Sequence, residues 1–197
     1  MSLGVLLGFA LTTVIGGWWA SYLQQRAWNR QNEVRLIEAA IERAGAACQE
    51  ITSLLDRRLF RMQRLTWAAT SGRADEVDLD ELERRRQDYV AILFEWNDHL
   101  NTNLSLIGTY FGEGARAALD QLYEDFSRVG AKVEGMVRAA RSGEDTREPG
   151  AELASEFEGW SPHSLNDHVY QFGVRLMSQL REGQVGQAAP DKIRGPK

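Results

Sequence analysis

The sequence predicts an all-α protein, in which one N-terminal transmembrane helix continues into a long antiparallel helical bundle, four-helix-like, with coiled-coil seams. Three observations carry this. Residues 3–23 form an apolar run without a charged side chain. Apolar residues then recur at alternating spacings of three and four over most of the chain, which is the period of a helix face packed on a neighbour. No segment shows the apolar–polar alternation of a strand. The expected division is a membrane anchor over 1–25, a cytoplasmic bundle over 26–182 and a disordered tail over 183–197.

The first element is the anchor. An apolar run from Leu3 to Leu23 is long enough, at ~1.5 Å per residue, to cross a hydrocarbon core of ~30 Å. A cleaved secretory signal would have a basic start and a shorter apolar stretch, and "MSLG" has no basic side chain. Trp18, Trp19 and Tyr22, followed by Trp28, fall where amphipathic rings favour the headgroup layer. Arg26, Arg30 and Arg35 follow them, so the spacing predicts a short N-terminus outside and the remainder in the cytoplasm, held at the bacterial inner membrane. Gly4, Gly8, Thr12, Gly16 and Ala20 recur every four positions. Such a stripe suits close packing of two helices, and general Gly and Ala enrichment in membrane helices accounts for it equally well.

The seam of the next helix occupies positions 34, 37, 41, 44, 48, 51, 55, 58, 62 and 65, apolar everywhere except Arg58. Leu36, Ala40, Ala47 and Leu54 widen the stripe, favouring two neighbours in a bundle over one partner in a rod. Uninterrupted helix from Leu3 to Ala69 would be about 100 Å long, a stalk beyond the bilayer. Ser71 and Gly72 break it, and Asp78 with Glu81 has the form of a capping box that opens a second helix over 79–111. Its apolar positions are Leu82, Tyr89, Leu93, Trp96, Leu100, Leu104, Ile107 and Phe111, and "GEG" at 112–114 marks a turn or kink. The third helix has the most regular heptad: Ala115, Leu119, Leu122, Phe126, Val129, Val133, Met136 and Ala140. After the loop "SGEDTREPG" and a short helix through Phe157, Ser161 and Pro162 read as N-cap and first turn of a last helix through Arg181.

Composition narrows function. A net charge of -5 disfavours nucleic acid as a partner, since binding phosphates requires a local cationic excess. Lysine occurs only at 132, 192 and 197, an arginine bias that fits a GC-rich bacterial genome. The single cysteine, Cys48, excludes an intrachain disulfide and a multi-cysteine zinc site, and its seam position makes it a small core residue. His163 and Asp167 stand at i, i+4, but no Glu-x-x-His pair accompanies them, so no metal or other cofactor is expected. His99 lies in a polar patch, "WNDHLNTN", which reads as a solvent face with a few interhelical hydrogen bonds or as a polar site inside the bundle. Walker-type loops and nucleophile elbows are missing, as is the arginine-to-histidine spacing of HEPN ribonucleases. No catalytic residue is assigned and the expectation is a protein that is not an enzyme. Arg57, Arg58, Arg61 and Arg64, with Arg84, Arg85 and Arg86 on the next helix, form a candidate anion or partner patch, or a solvated face paired with Asp56, Glu81 and Glu83.

The stretch "WWASYLQQRAWNRQNEVRL", with "LLDRRLFRMQRL" as its most specific element, resembles small, largely uncharacterised single-pass membrane-anchored helical-bundle proteins of bacteria over residues 1–67. In architecture alone the chain also looks like the small membrane accessory protein of type VI CRISPR systems, an oligomeric membrane protein; no residue is carried across. The expected function is a membrane-anchored helical scaffold or interaction protein. It would self-associate as a homo-oligomer in the lipid bilayer and present its bundle to a cytoplasmic protein. The alternative is an oligomeric, pore-type membrane effector triggered by a ligand at the arginine cluster.

Overall fold

The computed structural model describes residues 3–70, 77–157 and 164–185, with side chains omitted for 3–17 and 20. All elements among these residues are helical: α1 (Leu3–Thr70), α2 (Leu79–Phe111), α3 (Glu113–Arg141), α4 (Arg147–Phe157) and α5 (Leu165–Arg181). The chain forms two compact units, 1–42 and 43–197.

In the first unit the large aromatic and aliphatic side chains that are described are exposed, Trp18, Trp19, Tyr22, Leu23 and Trp28 among them. Seam positions Val34, Ile37 and Ile41 are exposed as well, so the buried part of the seam begins at Ala44. Among the described residues no helix is long and apolar enough to cross a membrane, and the spanning helix expected over Leu3–Leu23 gains no support. Most of that run, including Gly4, Gly8, Thr12, Gly16 and Ala20, lies outside the residues whose side chains are described.

The second unit is a ring of antiparallel neighbours, α1–α2–α3–α5, with α4 laid against α3. Arg57 meets Glu95 and Arg61 meets the Asp88 carbonyl, which sets α2 antiparallel to α1. Arg86 pairs with Glu134 and Arg141 with Glu83, reversing direction again into α3. Cys48 touches Met177 and Thr52 faces Gly173, closing the ring from α5 back to α1. The core follows the periodicities. Every expected seam position of α3 is buried, and α1 contributes Ala44, Cys48, Ile51, Leu55, Met62 and Leu65. On α2 the inward residue is Ile92, while Leu93 is half-buried at the edge. Full burial of each large apolar side chain contributes roughly 1.5–3 kcal/mol.

The helix ends show where local chemistry decides. Asp78 caps α2 by accepting from the backbone N–H of Asp80 and Glu81. Only half of the expected capping box forms, because the Glu81 carboxylate turns outward to Arg84 and Arg85. Gly112, at φ 85, makes the α2–α3 junction in a region that strains other residues. The N-cap of α5 is Ser164, whose side chain accepts from the Asp167 N–H at 3.1 Å. The expected cap Ser161 lies among residues 158–163, outside those described, and the tail from 186 lies outside them too.

At the end of α1, orphan carbonyls need donors. Thr146, from the loop before α4, donates its hydroxyl to the Ala69 carbonyl at 2.6 Å, with both residues buried. Thr70 packs onto Gly150 of α4, where even a methyl group has no room. Thr146→Val keeps the shape but leaves the Ala69 carbonyl unpaired; the expected loss is about 1–3 kcal/mol. Urea denaturation is the measurement, and Thr146→Ser should stay near wild type.

Candidate functional site

Arg58 is the one charged residue in the α1 seam. Because Leu55, Met62 and Leu65 share its face and are buried, the helix carries the guanidinium inward with them, leaving the residue 3% exposed. Burial pulls its pKa below the ordinary arginine value, and the neighbours acting on it are phenols, Tyr89 foremost and then Tyr123; no carboxylate is among them. The guanidinium carbon stands 4.6 Å from the Phe126 ring centre and 5.7 Å from that of Trp96. Aromatic quadrupoles therefore take the place of a counter-ion, which is a role suited to the flat, weakly hydrated arginine head. Burial raises the phenol pKa of Tyr89 in turn, with the nearby Arg58 charge opposing the shift.

Gly130 of α3 completes this box. A helix-interior glycine costs about 1 kcal/mol relative to alanine. Here a Cβ would stand 2.8 Å from the Tyr89 hydroxyl oxygen, so the absent methyl is what admits Tyr89. Satisfaction is incomplete: Arg58 Nε and Nη1 and the Trp96 indole N–H find no acceptor. A buried charge in such surroundings carries a desolvation cost of several kcal/mol.

The remaining arginines of the expected patch do not converge into an open anion site. Arg57 forms a two-pronged pair with Glu95 at 2.7 and 3.2 Å. Arg61 donates to the Asp88 carbonyl, and Arg64 lies over the Phe60 ring. Arg84 and Arg85 share Glu81, while Arg86 meets Glu134 at 3.2 Å. Acidic residues are interleaved with the basic ones, and surface pairs of this kind contribute about 0–1 kcal/mol each. Of the acids expected as partners, Glu81 is the one that pairs with this cluster; Glu83 pairs with Arg141, and Asp56 forms no ion pair among the described residues.

The polar patch on α2 resolves similarly. Asn97, Asp98, His99 and Asn101 are exposed, and His99 Nδ1 sits 2.9 Å from the carbonyl of Glu95 in its own helix. Asn103 alone is buried, with its amide nitrogen unpartnered.

A second constellation joins α3 and α5. His168 Nδ1 lies 3.0 Å from Asp125 Oδ2, and Arg128 approaches the same carboxylate at 3.5 Å. His168 and Asp125 border a groove of about 420 Å³ floored by Leu122 and Phe172, with Gln121, Gln171 and Arg175 on its sides. Aspartate orients the imidazole, as in nucleophilic triads, but among the described residues no Ser, Thr or Cys lines the groove. Sequence spacing points instead to His163 with Asp167; His163 lies outside the described residues, and Asp167 engages Gln171. The pair that forms spans 43 positions in the chain, and neither residue carries a local signal for it. No group of three potential metal ligands occurs among the described residues. The chain matches no protein-family model, no curated protein and no solved structure.

Arg58→Met replaces the unpaired charge with an apolar side chain of similar length. It should raise unfolding stability by about 1–4 kcal/mol, read as a higher urea midpoint at unchanged slope. Arg58→Lys, which keeps the charge but loses the planar stack, should lower it.

Proposed function

We propose that the protein is a non-enzymatic, membrane-anchored helical scaffold that self-associates and presents its bundle to a cytoplasmic partner. The observation carrying this reading is the set of exposed rings near the start of α1. Trp18 is 68% and Trp28 63% exposed, with Trp19, Tyr22 and Leu23 also open. Exposed aromatic rings this dense are costly in water and favoured at a headgroup layer. Arg26, Arg30 and Arg35 are interleaved with or follow the rings, supplying the charge that favours the cytoplasmic side. The apolar run Leu3–Leu23, which carries Trp18, Trp19 and Tyr22 at its end, is the proposed span. Among the described residues the bundle offers grooves and an internally consumed arginine rather than an assembled set of nucleophile, base and oxyanion donors, which supports a binding role.

Membrane attachment is tested by fractionation. Full-length chain should remain in the membrane pellet after alkaline carbonate washing. The double change Val14→Arg and Ile15→Arg should move it to the supernatant, because each arginine costs roughly 2.5–3.5 kcal/mol near the centre of a span. Release of the unmodified chain by carbonate would rule out a spanning anchor.

A further inference from the structure

The groove between α3 and α5 is built from two matched faces. Helix α3 supplies Ala118, Gln121, Leu122 and Asp125 to it, and α5 supplies His168, Gln171, Phe172 and Arg175. Each set has the i, i+3, i+4, i+7 spacing of one helix face. The helices run antiparallel, so the Asp125–His168 contact that joins them at one end sets Ala118 level with Arg175 at the other. Along α5 the two ends stand at i and i+7, roughly 10 Å apart. Between them Leu122 and Phe172, both almost fully buried, form an apolar floor. A volume of about 420 Å³ is within the range of about 300–1,000 Å³ usual for clefts that take small molecules.

The two ends differ in what they still need. At the first, the Asp125 carboxylate has His168 Nδ1 at 3.0 Å and Arg128 at 3.5 Å, so its charge is met. A carboxylate only accepts, so Nδ1 carries the proton, and Nε2 of the neutral ring is left as an acceptor. At the second end, Arg175 forms no ion pair among the described residues. Its neighbours one turn away on α5 are Gln171, Phe172, Ser178 and Gln179, none of them acidic. Across the groove it meets the level of Ala118, which brings neither charge nor bulk. One end is therefore closed by a satisfied pair, and the other holds a guanidinium with no counter-charge.

We propose that this groove binds a small aromatic carboxylate that carries a hydroxyl or N–H at its far end. Arg175 takes the carboxylate, the flat ring system lies over Leu122 and Phe172, and His168 Nε2 accepts from the far donor. The planar fork of arginine matches the two oxygens of a carboxylate. A single charge is what the groove asks for, because Asp125 in the same groove would repel a dianion such as a phosphate monoester, and among the described residues no second arginine or lysine lines it. Asp125 is a positioning residue: it fixes the tautomer that leaves Nε2 free to accept. The site gives the bundle a small-molecule effector, which goes beyond a scaffold role. It rests on α3 and α5 alone and requires neither the anchor nor self-association.

The probe is 6-hydroxy-2-naphthoate, whose hydroxyl and carboxylate lie at opposite ends of a flat two-ring body. Titrated calorimetrically into the full-length, detergent-extracted chain, it should bind saturably with one molecule per chain. The corresponding neutral amide should bind about tenfold more weakly or worse, as should the acid to Arg175→Gln protein in the same micelles, since each loses a charge-assisted hydrogen bond. Arg175 is exposed, so this change leaves the bundle folded, and an unaltered thermal unfolding curve checks that it does. The naphthoate without the hydroxyl should lose about threefold, the share of one neutral hydrogen bond. In proton NMR spectra, the imidazole resonance that is absent from His168→Gln protein should shift as the hydroxynaphthoate binds. Absence of saturable binding, equal affinity for acid and amide, affinity indifferent to Arg175→Gln or to loss of the hydroxyl, or an unmoved His168 resonance would overturn the proposal. The carbonate wash reports separately on the anchor, so the two readings fail independently.

Discussion

The core of the bundle is organised by the need to hold a guanidinium where no carboxylate reaches it. Arg58 sits in the α1 seam, and the residues that make its burial tolerable come from two other helices: Tyr89 and Trp96 from α2, Phe126 from α3. Gly130 is explained by the same requirement, since its missing side chain is the space the Tyr89 hydroxyl uses. Large aromatic rings at these positions perform two tasks at once. They fill volume, as any apolar residue would, and they turn their negative faces to a cation that has lost its water. Arrangements of this type depend on geometry more than on composition. The donors left without acceptors at Arg58 and Trp96 show that the compensation is partial, and an apolar core of equal volume would avoid the desolvation cost altogether.

Periodicity made much of this legible in advance, and its limits are physical. Every position of the α3 heptad is buried because a helix packed on three sides has little freedom to rotate, while Gly130 and Val137, also buried, lie outside the repeat. In α1 the same period runs from Val34 to Leu65, but Val34, Ile37 and Ile41 are exposed while Ala44 onward is buried. A repeat specifies that one face is apolar; it does not specify what covers that face. Arg58 was recognisable as an exception within a seam, whereas its partners were not, because contacts among α1, α2 and α3 depend on the register between helices. His168 and Asp125 illustrate the same point: each is an ordinary polar residue on its own helix, and only packing of α3 on α5 makes them a pair.

Local rules were weakest at helix ends. Asp78 and Glu81 have the spacing of a reciprocal cap, yet the glutamate has nearby arginines to choose from and takes them. Competition of this kind is close in energy, about 1 kcal/mol on either side, and sequence spacing alone does not rank the options. The C-terminal end of α1 is completed from a distance, by Thr146 on the carbonyl of Ala69 and by Gly150 beneath Thr70. The short helix α4 thereby acquires a role that its own modest apolar content does not suggest: it closes the end of the helix that carries Arg58.

Buried and exposed chemistry in the bundle divide along a consistent line. The groups with the greatest chemical reach are already committed: Arg58 to aromatic rings, His168 to Asp125, Cys48 to a buried site that raises its thiol pKa and makes the reactive thiolate scarce. Scattered exposed apolar residues such as Phe60 and Phe94 need no explanation, being single side chains on outer faces.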